Sequence, residues 1–210
     1  MGSILRVNQM APAREVLDEA VAVLSFGGVV VMPTDSVYGI GCAALPNNPG
    51  HQRIFQIKQR PLGQTLPWLV ADVDDLDRYA ASVTPEALKL AVAFWPGALT
   101  LVVRASDEVP REYQGQDGTI ALRLPDSALV RELARRVGVP LATTSANTHG
   151  AAAATSGSGV EERLVEQADL TLDAGPAPIA IASTIVSCTG PRPVILREGA
   201  ISHNQVSSVL

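Results

Sequence analysis

With 210 residues, 47% apolar and 18% charged, the chain is long enough for one domain with a sizeable hydrophobic core, and its balance is that of an ordinary globular protein. The 16 basic and 21 acidic residues leave a formal charge of -5, which argues against bulk attraction to nucleic acid but leaves room for a local basic surface. Two cysteines, Cys42 and Cys188, are too few for a disulfide framework and lack zinc-ligand spacing, so two buried thiols in a reducing compartment are expected.

Met1 to Met10 carries one arginine and no continuous apolar core before a cleavage pattern, so no export signal is read there. Pro12 to Phe26 is expected to be a helix. Pro12 suits an early position, and Val16, Ala20, Val23 and Leu24 supply the buried stripe. Gly27–Gly28 ends it, and Val29 to Met32 follows as a strand buried on both faces. The run to Pro33 is far shorter than the roughly 20 residues a membrane span needs. A cytoplasmic location is therefore expected.

Leu66 to Ala71 is predicted as a strand, and Pro67 within it predicts an edge position. Pro85 to Phe94 is a predicted helix capped by Thr84, followed by strands at Leu99 to Val103 and Thr119 to Leu124. A helix over Asp126 to Val137 starts at Asp126 or Ser127 and ends at Gly138. Pro140 to Thr144 leads into another strand. Val160 to Gln167 is a helix, and Leu170 to Asp173, Ser183 to Val186 and Val194 to Leu196 are short strands. Irregular alternation of this kind predicts α/β packing around a mixed sheet in one domain, 1–210. Gly150 to Gly159, all Ala, Gly, Ser and Thr, reads as a mobile loop and a candidate lid.

Four polar segments interrupt the apolar runs. Pro33-Thr34-Asp35-Ser36-Val37-Tyr38-Gly39-Ile40-Gly41 either lines a pocket or makes a tight turn, and it matches neither the Walker A nor the Gly-x-Gly-x-x-Gly pattern. Lys58 and Arg60, at a helix end before Pro61, suit a polyphosphate, although a helix dipole alone also favours cations there. Thr143 to Gly150 concentrates hydroxyl and amide groups, including Ser145 and Asn147. No orienting carboxylate or nucleophile elbow accompanies Ser145 and His149, so the segment is either a ligand-binding segment or a Ser/Asn-rich turn, and not a catalytic triad. In Ser183-Thr184-Ile185-Val186-Ser187 the first two hydroxyls sit at a strand start, where ordinary sheet hydroxyls also occur, and Arg197 reaches either phosphate or solvent.

Arg123, between Leu122 and Leu124, either faces solvent or meets a buried anion such as a ligand carboxylate. Arg131, Arg135 and Arg136 read as a solvated helix face. Trp68 and Trp95 read as packing residues. His51, His149 and His203 do not have metal-site spacing.

Read together, these segments resemble the YrdC-like family from about Val21 to Ile201. The resemblance is carried by Pro33-Thr34-Asp35-Ser36-Val37-Tyr38-Gly39, Lys58-Gln59-Arg60-Pro61, Trp95-Pro96-Gly97-Ala98-Leu99-Thr100 and Ala121-Leu122-Arg123-Leu124-Pro125. Thr144-Ser145-Ala146-Asn147 with Gly150, and Ser183-Thr184-Ile185-Val186 with Ile195-Leu196-Arg197, complete it. It implies a twisted mixed sheet flanked by helices, with a large central cleft. It also implies a synthase that condenses L-threonine, bicarbonate and ATP, helped by Mg²⁺, into threonylcarbamoyl-AMP and pyrophosphate for modification of tRNA adenosine 37.

By that resemblance, Lys58 and Arg60 would hold the triphosphate and its developing charge. Ser145, Asn147, Ser183 and Arg197 would hold the nucleotide. Thr34 and Arg123 would fix threonine, with Tyr38 lining the pocket and Ser145 on the substrate side as well. Partners would be the tRNA threonylcarbamoyl-transferase proteins, with weak RNA binding. Gln64, Thr65, Pro67–Trp68, His149 and Ser187 depart from the usual pattern, and the Gln64 to Trp68 stretch is expected to reshape the substrate side of the cleft. Two other readings remain: a family relative without synthase activity, whose pattern Asp35-Ser36 and Arg197-Glu198-Gly199 resemble, and an RNA-binding or ribosome-assembly protein.

Overall fold

Capping residues set the helix limits. Asn48 accepts the Gly50 N–H at 2.8 Å ahead of a helix that begins with Pro49. Thr84 caps its helix through the Ala87 N–H at 3.1 Å, and Ser127, not Asp126, caps through the Val130 N–H at 3.4 Å. Gly138, at φ 82°, supplies the left-handed stop expected of it. The computed structural model describes residues 2–61 and 64–210. Its elements are β1 (Ser3–Arg6), α1 (Arg14–Ser25), β2 (Val30–Met32), β3 (Gly39–Ala43), α2 (Pro49–Ile57), β4 (Trp68–Leu69), α3 (Asp75–Tyr79), α4 (Pro85–Phe94) and β5 (Leu99–Arg104). Then come β6 (Thr119–Arg123), α5 (Ala128–Val137), β7 (Leu141–Ser145), α6 (Glu162–Gln167), β8 (Leu170–Asp173), β9 (Thr184–Ser187), β10 (Val194–Arg197) and α7 (His203–Val209).

The strands form one ten-stranded sheet in the order β1-β8-β2-β3-β7-β4-β6-β5-β9-β10. It is mixed, as expected: β8 runs parallel to β1 and β2, while β3 is antiparallel to both β2 and β7. The expected edge position of the Pro67 strand is wrong. β4 is only two residues long and lies inside the sheet between β7 and β6. Pro67 precedes it, and its carbonyl accepts the Thr143 N–H at 2.8 Å, so the proline joins the sheet through its acceptor and needs no N–H there.

Each face of the sheet buries its own cluster. Val30 and Met32 of β2 point to the side covered by α1 and α5, while Val31, and Val29 just before the strand, point to the side covered by α2, α3, α4, α6 and α7. The α1 stripe is Leu17, Ala20 and Leu24, with the expected Val16 and Val23 only half-buried. That stripe packs in one cluster with Leu129, Val130 and Leu133 of α5.

The first face leaves an opening. On β7, Leu141 lies under α1 and α5, but Thr143 and Ser145, next on the same face, line a cavity. Close strand approach shapes its floor. A Cβ on Gly39 would sit 2.6 Å from Cγ2 of Thr143, and one on Gly41 would collide with the Thr143 hydroxyl. We expect Gly41→Ala to destabilise the protein by ~1–3 kcal/mol through overpacking, read as a lower urea midpoint at unchanged slope.

Candidate functional site

The cavity has a volume of about 300 Å³, at the lower end of the range typical of small-molecule sites. Its walls come from Thr34, Ser36 and Gly39 around the β2–β3 turn, Pro67 and Leu69 of the β4 segment, Thr143 and Ser145 of β7, and Asn147 just after it. Thr100 of β5, Arg123 of β6, Ser183 and Arg197 close it. Seven segments far apart in sequence thus meet at one opening. Of the nine site residues expected from sequence, Thr34, Tyr38, Arg123, Ser145, Asn147, Ser183 and Arg197 line it.

Lys58 and Arg60 are not among the lining residues. Lys58 is 2% exposed and donates to the carbonyls of Ser145 at 2.5 Å and Asn147 at 2.6 Å, with the Asn147 side-chain oxygen at 3.4 Å. An ammonium has three N–H donors, and these acceptors account for all of them. Burial, reinforced by Arg60 and opposed by Glu161, lowers the Lys58 pKa to about 8. Its donors face the back of a turn, away from the cavity. Gln59 adopts φ 51°, ending α2 in a left-handed step that separates the two cations. Arg60 bonds Thr144 Oγ1 and the Thr65 carbonyl, both at 3.2 Å, and Gln64 at 2.7 Å. Thr144 lines the cavity, so Arg60 stands one side chain away from it.

Arg123 has met its buried anion, and the anion is internal. Its Nη2 donates to Asp35 Oδ1 at 2.5 Å, its Nη1 to Ser36 at 2.7 Å and its Nε to the Gly97 carbonyl at 2.9 Å. Both members of the ion pair are almost fully buried. Three of five guanidinium donors are used, which leaves two for a ligand at the cavity wall. Asp35 Oδ2 is buried and has no partner among the described residues.

Arg197 donates to the Ser183 carbonyl at 2.7 Å, and the Ser183 hydroxyl pairs with Thr100 Oγ1 at 2.9 Å. Burial lowers the Arg197 pKa, and the nearby charge of Arg123 lowers it further. A chain of net charge -5 has therefore placed two arginines on one cavity against a single paired carboxylate. Such a site attracts anions.

Thr34 caps its own turn, donating to the Val37 carbonyl at 2.7 Å. The Tyr38 hydroxyl donates to the Gly175 carbonyl at 2.7 Å and accepts the Ala174 N–H at 3.0 Å; burial raises its pKa to about 12. Tyr38 also ties down the expected mobile loop, its N–H donating to the Ala154 carbonyl at 2.9 Å. The structure divides that loop. Ala151 and Ala153 line the cavity, while Thr155 and Ser156 are joined to Ala177 and Pro176.

Of the departures from the family pattern, Gln64 and Thr65 anchor Arg60, and Pro67 lines the cavity. Trp68 points the other way, edge-on to Tyr79 and Tyr113 in the core. Arg131, Arg135 and Arg136 pair with Asp126, Asp72, Glu132 and Asp18, as a solvated face should. Thr100 and Glu161 were missed as single residues. The signal for Thr100 is a lone hydroxyl between Leu99 and Leu101; for Glu161 the sequence offers none.

Over residues 22–199 the chain matches the family model of Sua5, YciO and YrdC, described as telomere recombination. The chain belongs to that family. Among its relatives, threonylcarbamoyl-AMP synthase of Bacillus subtilis (strain 168) is 35% identical over 194 residues, 91% of this chain but 56% of that one. Sua5 of P. abyssi, in a structure complexed with L-threonine, superposes with a TM-score of 0.93 at 33% identity, covering 99% of this chain and 61% of that one. E. coli YciO superposes with a TM-score of 0.85 at 29% identity, covering 95% of this chain and 96% of that one. The family chain thus spans little more than half the length of the synthases it matches first. The twisted mixed sheet flanked by helices is the architecture of these structures.

The buried pair gives a test of the site's construction. Asp35→Ala should cost ~3–5 kcal/mol because Arg123 is left buried and unpaired. The same change in an Arg123→Met background should cost clearly less. Equal costs in a double-mutant cycle of unfolding free energies would contradict the pairing.

Proposed function

We propose that this chain is an L-threonylcarbamoyladenylate synthase: it condenses L-threonine with bicarbonate and transfers the adenylyl group of ATP to the carbamate, releasing pyrophosphate. The observation that carries this reading is the cavity itself, in which Arg123 and Arg197 face one space walled by Thr34, Ser145, Asn147 and Ser183. The family resemblance and the threonine-bound relative of the same fold support it.

The chemistry needs alignment and charge stabilisation more than a protein nucleophile. The threonine amine attacks the carbon of bicarbonate, and loss of water leaves a carbamate. A carbamate oxygen then attacks the α-phosphate, and the bond to pyrophosphate breaks. In this assignment the two spare donors of Arg123 receive the threonine carboxylate, and Thr34 bounds the same end. Ser183, just before β9, and Arg197, at the end of β10, face the nucleotide, as do Ser145, at the end of β7, and Asn147 in the turn after it. Arg60 is the cation placed to reach phosphate, through the wall residue Thr144. Lys58 contributes charge from behind.

Among the described residues, no group of three or more His, Cys, Asp or Glu is arranged to hold a metal. This suits Mg²⁺ carried in on the phosphates, since that ion keeps several waters and needs few protein ligands. There it would neutralise phosphate charge. No helix among the described residues is long and apolar enough to cross a membrane. Delivery of the adenylate to tRNA threonylcarbamoyl-transferase proteins in the cytoplasm completes the proposal.

A second reading, that of a family member without this activity, is favoured by length: E. coli YciO, which carries no named activity, matches the chain nearly end to end. One measurement separates the two. Purified protein with MgATP and bicarbonate should release pyrophosphate only when L-threonine is added. No threonine-dependent release from folded protein would overturn the synthase reading. Within an active enzyme, Arg197→Met should raise the ATP KM by about 10–100-fold, the equivalent of a lost charged hydrogen bond. The threonine KM should move far less.

A further inference from the structure

Behind the cavity wall lies a polar cluster of Lys58, Thr148, Glu161 and Arg163, whose side chains are not among those lining the cavity. Glu161 Oε1 accepts the Thr148 N–H at 2.7 Å, and Oε2 accepts the Thr148 hydroxyl at 2.5 Å. That hydroxyl also receives Arg163 Nη2 at 2.7 Å, while Arg163 Nη1 donates to the Ile57 carbonyl at 2.5 Å. The Lys58 carbonyl accepts the His149 N–H at 2.9 Å, and the Lys58 ammonium holds the carbonyls of Ser145 and Asn147. The end of α2 and the start of α6 thus grip one turn, Ser145 to His149, from behind.

Glu161 occupies the N-cap position of α6, where a side chain ordinarily accepts an N–H of its own helix. It makes no such bond and reaches to Thr148 instead. Its hydrogen bonds to the Thr148 hydroxyl and N–H hold its pKa below the usual carboxylate range, and the charges of Arg163 and Lys58 add to this. The helix has given up a cap, and the turn has gained a charged anchor.

We propose that Glu161 is a positioning residue: with Lys58 it fixes the Ser145–His149 turn in the shape that presents Ser145 and Asn147 to the nucleotide. The inference rests on the nucleotide reading above. It assigns Lys58 an action through the turn, because its ammonium has already spent its donors on turn acceptors. Charge-assisted bonds to main-chain groups suit this task, since they fix backbone position and remain charged at neutral pH. Glu161 also supplies the negative charge that favours a buried lysine's ammonium form.

The test uses the full chain and the variants Glu161→Ala, Glu161→Gln and Thr148→Val, compared by ATP and threonine KM, by calorimetric binding of AMP-PNP with Mg²⁺, and by amide hydrogen exchange. Glu161→Ala should raise the ATP KM and the AMP-PNP Kd by ~10–100-fold, the scale of an ångström of misplacement. The threonine KM should stay within about twofold. Exchange at Thr148 and His149 should accelerate while the β3–β7 ladder keeps its protection. Glu161→Gln, which retains an acceptor, should recover part of the loss, and Thr148→Val should show the same ATP-selective defect without touching either charge. A competent wild type with an unchanged ATP KM in Glu161→Ala, or with ATP and threonine KM raised together, would overturn this inference alone. A wild type that neither releases threonine-dependent pyrophosphate nor binds AMP-PNP would remove the functional reading and this one with it.

Discussion

A buried charge must be answered within the protein, and the site is organised by two such answers. Arg123 is met by Asp35, Ser36 and the Gly97 carbonyl, which joins β6 to the β2–β3 turn and to the approach to β5. Lys58 is met by carbonyls of the turn after β7. Leaving either cation unpaired would cost several kcal/mol, so the segments that answer them cannot drift apart without unfolding penalties. The cavity walls are held in place by the cost of their own charges.

The same logic explains which parts of the molecule were legible in the sequence. Helices α4 and α5 carry their caps in adjacent residues, so Thr84, Ser127 and Gly138 could be read locally. Strand β2 was legible because burial on both faces leaves a continuous apolar run. Strand β3 was not, because Gly39 and Gly41 read as turn glycines until Thr143 is seen pressed against them. Strand β1 shows mostly exposed residues and gave no pattern. Pro67 signalled an edge, yet β4 is interior because only the proline carbonyl is needed.

The site residues divide along the same line. Seven of nine line one cavity, which was readable because hydroxyls and arginines interrupting apolar strands have few structural reasons to be there. The orientation of Lys58 was not readable: residue type announces a cation, but only tertiary structure shows which acceptors consume its donors. Glu161 was hidden for a related reason, since a glutamate at a helix start looks like ordinary dipole compensation. The composition of the Gly150–Gly159 stretch does not reveal that the Tyr38 N–H bonds the Ala154 carbonyl.

Strand β4 separates two things that proteins usually entangle. In two residues and the proline before them, the backbone sends Pro67 and Leu69 to the cavity and Trp68 to the aromatic core beside Tyr79 and Tyr113. Alternation makes those two sets of side chains independent neighbours. The residues that floor the cavity can therefore change while the tryptophan keeps its packing. That arrangement gives selection, or a designer, a place to alter substrate fit without renegotiating stability.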